Sequence, residues 1–170
     1  MAAEMDEVDR IVEAWGRQRP DLDFSPLEVL SRVDRLSRHL DRARRAAFQR
    51  SELEPWAWDV LSALRRAGQP FELGPKALLQ QTLVSSGTMT NRIDRLVARR
   101  LVHRRSDPVD GRSVLVGLTD DGRIRMDAAI TRLVDAEAAL LAVLSRSERD
   151  RLAALLRRLS LEFDGPHGGH

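Results

Sequence analysis

The sequence of 170 residues contains no cysteine, which excludes disulfide bonds and redox sensing by thiols. No apolar run reaches the roughly 18 residues that a membrane-spanning helix requires. We expect no signal peptide before the first predicted helix. We therefore expect a cytoplasmic protein that has no membrane partner.

Motifs of catalysis are missing as well. The sequence has no phosphate-binding nucleotide loop, no G-x-S-x-G nucleophile motif and no zinc-protease motif. His167 and His170 in the C-terminal tail are too few for a metal site when no cysteine is available. We therefore expect no enzyme activity, no cofactor and no metal ion.

Lysine is almost absent, and the positive charge of the chain is carried by arginine. The 28 basic residues include only Lys76 as a lysine, and 26 acidic residues bring the net charge to +2. This balance alone does not indicate a nucleic-acid partner. The clustering does, because the segment from Arg92 to Arg112 holds seven arginines against three aspartates.

The segment that follows Ser85 predicts an amphipathic helix. Ser85 and Ser86 are suitable cap residues, because a serine hydroxyl accepts a hydrogen bond from the unpaired N–H groups of a first helical turn. Apolar residues then recur at helical spacing: Met89, Ile93, Leu96 and Val97. The opposite side carries Thr88, Asn91 and Arg95. These side chains are able to read base edges in a major groove, and an ordinary solvated face is the alternative interpretation.

Two short strands and a tight turn are predicted after this helix. The strands span residues 101–105 and 113–118, and the intervening DPVDGR has the composition of a hairpin tip. We expect Arg112 of this tip to enter a minor groove, because a narrow groove attracts guanidinium groups.

These residues resemble the winged helix-turn-helix of MarR-family transcriptional regulators. The resemblance rests on three stretches in combination: Ser85 to Leu96, Asp107-Pro108 with Asp110-x-Arg112, and Leu118-Thr119-x-x-Gly122. With the flanking helices it covers about residues 25–163. The chain departs from the family pattern at Arg100, where glycine is usual, and at Gly111, where a second basic residue is common. The resemblance implies a homodimer on double-stranded DNA, with contacts from Ser85, Ser86, Thr88, Asn91, Arg95 and Arg112.

The rest of the chain predicts helices on both sides of this centre. Periodicity places them at residues 5–19, 26–47, about 55–67 and 75–81, with a minor edge strand at 71–73. Thr119 caps a helix from Asp120, and Ser147 with Glu148 begins the last helix. We expect a mainly α fold in a single domain over residues 1–170. Its parts are helices for dimerisation at 5–50 and 120–163, a winged helix-turn-helix with a small antiparallel wing sheet at 54–118, and a flexible tail at 164–170.

Three apolar stripes are expected to build the core and a dimer interface. The long second helix carries Val29, Leu30, Val33, Leu36, Leu40, Ala43 and Ala47. The helix after the hairpin carries Ile124, Ile130, Leu133, Val134, Leu140, Leu141 and Leu144. The last helix carries Leu152, Leu155, Leu156, Leu159 and Phe163. A twofold-related subunit is the expected partner of a helix as long as the second.

Four residues match a ligand site of the urate-responsive subfamily of MarR regulators, which has an additional N-terminal helix. They are Trp15, Asp59, Arg92 and Arg104. The resemblance implies a small anionic ligand, a urate-like purine or an aromatic or polycarboxylic acid, because guanidinium groups bind such anions bidentately. Three of them also have another interpretation: Trp15 as core, Asp59 as a helix-dipole or salt-bridge residue, and Arg104 as a phosphate contact.

The sequence therefore predicts a ligand-responsive DNA-binding regulator, and within that class a repressor that a small anion releases from a pseudo-palindromic operator. Two alternatives remain. A constitutive DNA-binding dimer would use the same four residues for packing and salt bridges. An enzyme would need a cleft with paired titratable groups that no motif indicates.

Overall fold

The computed structural model describes residues 4–82, 84–108, 110–111 and 113–163. Within them the elements are α1 (Glu7–Gln18), α2 (Ser25–Gln49), α3 (Pro55–Arg66), β1 (Glu72–Leu73), α4 (Pro75–Thr82), α5 (Ser86–Ala98), β2 (Val102–Ser106), β3 (Val114–Leu118), α6 (Asp120–Leu140) and α7 (Arg146–Ser160). The expectation of a mainly helical fold with a small antiparallel sheet is confirmed. Arg112 and the tail 164–170 lie outside the described residues.

The first helix is fixed at its N-terminus and against α2. The Asp6 carboxylate accepts a hydrogen bond from the Asp9 backbone N–H at 2.9 Å. The Asp9 carboxylate accepts one from the Asp6 backbone N–H, also at 2.9 Å. The pKa of Asp6 is lowered to about 2, mainly by the hydrogen bond from the Asp9 N–H and next by the hydrogen bond from Arg32. Arg32 of α2 contacts Asp6 at 2.8 Å and Asp9 at 2.6 Å. The capping box therefore also serves as the docking point of α1.

Helix α3 lies at the centre of the core, because most of its residues after Trp56 are buried. The buried set comprises Ala57, Val60, Leu61, Ser62, Ala63 and Leu64. Around them pack Leu78 of α4, Met89, Ile93 and Leu96 of α5, Val116 of β3, and Met126 and Ala129 of α6. The apolar side of α5 is thus anchored to α3, and its polar side is left outward.

The wing is a three-stranded sheet in the order β1-β3-β2. β3 pairs antiparallel with both neighbours, so that Gly117 lies between Glu72 of β1 and His103 of β2. A Cβ at Gly117 would lie 2.6 Å from His103 Cε1 and 2.8 Å from Glu72 Cγ. The absence of a side chain there lets Glu72 reach across β3 to β2, where its carboxylate accepts from Arg105 Nε at 2.7 Å.

A sharp turn joins α5 to β2 even though glycine is absent from it. Arg99 is the C-cap of α5, and Arg100 adopts a φ of 58°, in the left-handed region that glycine prefers. Thr119 holds this turn from the other side, since its hydroxyl donates to the Arg100 carbonyl at 2.7 Å. The position where the family usually has glycine therefore keeps the glycine-like conformation, with an arginine in it.

One sequence expectation for the C-terminal helices needs correction. Helix α7 begins at Arg146 after the N-cap Ser145, whose hydroxyl and Glu148 form a capping box, and Ser147 is not the start. The buried residues of α6 are Gly122, Met126, Ala129 and Leu133, and Ile124, Ile130 and Val134 of its predicted apolar stripe are exposed in the single chain. The periodicity was ambiguous because α6 is apolar on more than one side.

Large apolar residues lie exposed along α2 and α7 of the single chain. No residue of α7 is buried, and of the predicted α2 stripe only Ala47 is. The exposed residues include Val29, Leu30, Val33 and Leu36 of α2, and Leu152, Leu155, Leu156 and Leu159 of α7. None of the described helices is long and apolar enough to cross a membrane.

Candidate nucleic-acid interface and ligand site

The polar side of α5 is open to solvent over its whole length. Ser85 is the N-cap: its hydroxyl accepts from the Thr88 backbone N–H at 3.4 Å and donates to Thr88 Oγ1 at 2.9 Å. Ser86, Thr88, Asn91 and Arg95 are all exposed, and Met89 on the other side is buried. The structure therefore brings the predicted base-reading residues onto one surface and gives Ser85 a capping role in addition.

Arg95 is held in place by residues of α3. Its guanidinium carbon lies 4.2 Å from the centre of the Trp56 ring, and Nη2 lies 4.0 Å from a Glu54 carboxylate oxygen. The side chain nevertheless stays 56% exposed. Together with Gly87, Thr88, Asn91 and Arg92, the two stacked side chains line a concavity of about 500 Å³.

Glu54 joins two arginines of α5 to the start of α3. Arg99 donates to Glu54 Oε2 at 2.5 Å and to the Glu52 carbonyl at 2.5 Å. Burial opposes the charged form of Glu54, but the hydrogen bonds with Arg99 and with its own backbone outweigh it and lower the pKa of this carboxyl. Glu54 therefore stays ionised beside Arg95 and Arg99.

The wing presents arginines from β2 beside α5. Arg105 is paired with Glu72, and Arg104 donates to Asp94 of α5 at 2.6 Å. The hairpin is closed by hydrogen bonds from the Asp107 N–H to the Ser113 carbonyl and from the Ser113 N–H to the Asp110 carbonyl, both 2.8 Å. Arg112, the residue predicted for the minor groove, lies outside the described residues.

Two of the four predicted ligand residues meet in this structure. Arg92 of α5 donates to Asp59 Oδ2 of α3 at 3.3 Å, and the Arg92 side chain is only 18% exposed. Burial raises the pKa of Asp59, and the charge and hydrogen bond of Arg92 offset only part of that effect. An ion pair therefore links α3 to the middle of the helix that carries Thr88 and Arg95.

The other two lie elsewhere in the single chain. Arg104 pairs with Asp94 and lines a separate, mostly apolar concavity of about 440 Å³ between α4, α5 and the wing. Trp15 of α1 is half exposed and stacks on Phe24, with ring centres 6.1 Å apart. Within one chain the structure thus shows a pair, Asp59 and Arg92, and not a four-residue cluster.

A third concavity borders Asp59 on the side of α2. It has a volume of about 530 Å³, and its lining includes Arg44, Arg45, Phe48 and Trp58. Phe48 and Trp58 stack with ring centres 4.5 Å apart, and Arg44 donates to Glu137 at 2.9 Å. Aromatic walls and guanidinium groups suit a planar anion.

The sequence analysis did not single out Arg44, Arg45, Phe48, Trp58 or Trp56. The spacing of Arg44, Arg45 and Phe48 on one side of a helix, i to i+3 and i+4, was a signal within the sequence. Their approach to Trp58 was not, since it depends on how α2 packs on α3. Among the described residues, no group of three His, Cys, Asp or Glu side chains is placed to hold a metal ion.

Comparisons with known proteins agree with this architecture. The model of the MarR family matches residues 51–113, from the end of α2 to the wing hairpin. The HTH-type transcriptional regulator PecS of Dickeya dadantii is 34% identical over 153 residues, which are 90% of this chain and 92% of that protein. The chain belongs to the MarR family. Its members are transcriptional regulators that bind DNA as dimers.

Two further MarR-family likenesses bear on regulation. The HTH-type transcriptional repressor NicR of Pseudomonas putida KT2440 is 31% identical over 142 residues, 81% of this chain and 88% of that protein. The solved structure of Bordetella bronchiseptica BpsR superimposes with a TM-score of 0.57 at 30% identity, over 75% of this chain and 92% of that one. That structure concerns the regulation of BpsR DNA binding by 6-hydroxynicotinic acid.

Proposed function

We propose that this MarR-family chain is a repressor that binds a pseudo-palindromic operator as a homodimer and is released by a small anion. The DNA-binding part is supported by the polar side of α5, where Thr88, Asn91 and Arg95 lie exposed beside the wing. In this arrangement α5 enters the major groove and the hairpin tip with Arg112 enters the adjacent minor groove. The half-sites then lie about one helical turn apart.

The homodimer is supported by the exposed apolar residues of α2 and α7. A helix such as α7, with leucines at 152, 155, 156 and 159 and none of them buried, leaves a continuous apolar stripe in water. Stripes of this kind mark association surfaces in soluble proteins. A second copy covers it in the proposed dimer, and the dimer sets the spacing between the two α5 helices.

The observation that carries the ligand response is the ion pair between Asp59 and Arg92. Asp59 borders the concavity walled by Phe48 and Trp58, and Arg92 borders the concavity that contains Thr88 and Arg95. An anion beside Asp59 repels that carboxylate and attracts the Arg92 guanidinium, which shifts α5 relative to α3. Such a ligand releases DNA only to the extent that it binds the shifted state better.

The proposed ligand class is a urate-like purine or an aromatic or polycarboxylic acid. The aromatic walls beside Arg44 and Arg45 support a planar anion. The regulation of BpsR by 6-hydroxynicotinic acid, an aromatic acid, supports the same class. Trp15 and Arg104 belong to this proposed site if the dimer or the ligand-bound state brings them to Asp59 and Arg92.

The alternative is a constitutive DNA-binding dimer, and one observation favours it. Asp59 with Arg92, and Asp94 with Arg104, form ion pairs within the chain, so both arginines already have an anionic partner. The open concavity beside Asp59 favours the ligand-responsive function instead, because a constitutive regulator needs no such space.

One experiment tests both parts. Double-stranded DNA selected from a random library by the purified protein is labelled, and fluorescence anisotropy measures its affinity and its release by urate, 6-hydroxynicotinate and a tricarboxylate. Arg95→Ala is expected to cost about 1–3 kcal/mol of specific binding. Arg17→Ala on α1 is the control for loss of one exposed arginine. Equal affinity of Arg95→Ala and wild type contradicts the DNA-binding surface, and failure of every anion to release DNA favours the constitutive alternative.

A further inference from the structure

Arg95, the more exposed of the two arginines of α5, is not a free side chain. Arg95 lies in the last turn of α5, where a long exposed side chain ordinarily samples many rotamers. Here its guanidinium carbon lies 4.2 Å above the Trp56 ring, and Glu54 lies 4.0 Å from Nη2. Two residues of a different helix therefore limit where this guanidinium points.

The first turn of α3 positions Trp56 beside Arg95. Pro55 occupies the first position of the helix, Trp56 follows it, and the next residue, Ala57, is completely buried. The indole is partly buried and packs against the core, which leaves a ring face toward α5. A cation over a tryptophan face is attracted by the ring quadrupole, and tryptophan is the strongest of the aromatic partners.

The contact leaves the hydrogen-bonding edge of Arg95 available. More than half of the side chain remains exposed, and it borders the same concavity as Thr88 and Asn91. Glu54 keeps Arg99 at 2.5 Å, so its carboxylate is occupied mainly by Arg99 and approaches Arg95 only at 4.0 Å. The stacked face is thus covered and the donor edge is open.

We propose that Trp56 is a positioning residue for base recognition: it holds the Arg95 guanidinium, by stacking, in the orientation that reads one base pair. This inference rests on the proposed DNA-binding function and extends it to a residue outside α5 and the wing. Fixing a flexible side chain before binding reduces the entropy lost on binding. A bidentate contact from a planar guanidinium also depends on its orientation. Holding Arg95 in one orientation therefore increases discrimination between bases.

A purely structural role for Trp56 makes a different prediction. If the indole only fills space beside the core, its replacement weakens α3 and α5 together and lowers affinity equally for every DNA sequence. A positioning role lowers discrimination at the one base pair that Arg95 reads. It leaves the salt dependence of binding unchanged, because the number of phosphate contacts is the same.

The experiment uses the full chain and the operator selected by wild-type protein, with each base pair of a half-site substituted in turn. The pair whose substitution weakens wild type but not Arg95→Ala is the one that Arg95 reads. At that pair wild type is expected to discriminate about 5- to 150-fold. Trp56→Leu, which keeps apolar volume without a π face, is expected to lose most of this ratio while discrimination at the other pairs stays the same.

Trp56→Phe is the matched variant at the same position. A phenyl ring retains a weaker quadrupole. We therefore expect an intermediate discrimination ratio at the Arg95 pair, lower than that of wild type and higher than that of Trp56→Leu. If Trp56→Leu does not fold, Trp56→Phe alone decides, since unchanged discrimination at the Arg95 pair rejects the proposal. Loss of affinity that is uniform over all base pairs also rejects it.

Failure of the underlying function gives a separate result. If wild type selects no DNA sequence, the proposed function falls and the role of Trp56 with it. If wild type selects an operator but Arg95→Ala discriminates as well as wild type at every pair, DNA binding stands and the positioning role of Trp56 is wrong.

Discussion

Arg92 and Asp59 form an ion pair of 3.3 Å between α5 and α3, at the boundary between the concavity beside Trp58 and the surface that carries Arg95. The pair is asymmetric in burial, because Arg92 is 18% and Asp59 46% exposed. An exposed pair contributes little to stability, and this one is more important as a link between two helices than as a source of folding free energy.

Replacing Arg92 by alanine is expected to uncouple ligand from DNA. The variant keeps part of its DNA affinity, because Thr88, Asn91 and Arg95 remain on α5, but an effective anion no longer releases the operator. Anisotropy titrations of the preformed protein–DNA complex with urate and 6-hydroxynicotinate measure this response. Arg104→Ala is the companion variant: a normal response there, together with a lost response in Arg92→Ala, would separate Arg104 from the site.

Replacing Asp59 by asparagine is expected to change stability in a manner that depends on pH. Burial raises the pKa of Asp59, so the folded state binds this proton more tightly than the unfolded chain does. The ionised carboxylate therefore destabilises the fold at pH values above its raised pKa. This destabilisation disappears as the pH falls through that pKa toward the usual value of 3.8.

The thermal midpoints of wild type and Asp59→Asn between pH 7 and pH 4 check this sign. We expect the stability of the variant relative to wild type to be greatest at neutral pH and to decrease as the pH falls. Asp150→Asn on α7 controls for the loss of a negative charge. A relative stability that instead increases toward pH 4 would show that the ion pair with Arg92 dominates over burial.

Local patterns in the sequence predicted the elements of the winged helix-turn-helix, and non-local packing decided the rest. The spacing of Met89, Ile93 and Leu96 and the capping role of Thr119 are properties of a few consecutive residues. The stack of Trp56 on Arg95 joins positions 39 residues apart, and the packing of α3 on α5 produces it. The buried side of α6 was not predictable for the same kind of reason, because its apolar residues lie on two sides and only tertiary contacts choose Met126 and Ala129.

A charge within the apolar stripe of α7 is expected to prevent dimerisation. Leu155→Glu places a carboxylate among Leu152, Leu156 and Leu159, where association with a second copy would bury it without a partner. Light scattering is expected to give twice 19.2 kDa for wild type and 19.2 kDa for the variant at micromolar concentration. Ala154→Glu introduces the same charge on the opposite side of α7 and is expected to leave the dimer intact. A wild-type monomer at high concentration would contradict both the dimer and the pseudo-palindromic operator.

Gly122 is the position where a single added methyl group is expected to destabilise the protein most. It lies in the first turn of α6, three residues after Thr119, whose hydroxyl donates to the Arg100 carbonyl and whose backbone N–H donates to the Leu101 carbonyl. A Cβ at Gly122 would lie 2.0 Å from the backbone oxygen of Leu101, which a rotamer change does not relieve. The backbone between α5 and β2 would have to separate from α6, so we expect Gly122→Ala to destabilise the protein by about 3 kcal/mol.

Gly16→Ala on α1 is the matched control, because open space surrounds that glycine and the helix backbone is otherwise identical. There the substitution is expected to stabilise by about 0.5–1 kcal/mol, since alanine has the higher helix propensity. Chemical denaturation of both variants gives the two free energies of unfolding. The opposite signs distinguish a close backbone contact from a general effect of glycine in helices, and a Gly122→Ala variant as stable as wild type would show that α6 does not pack against Leu101 as described.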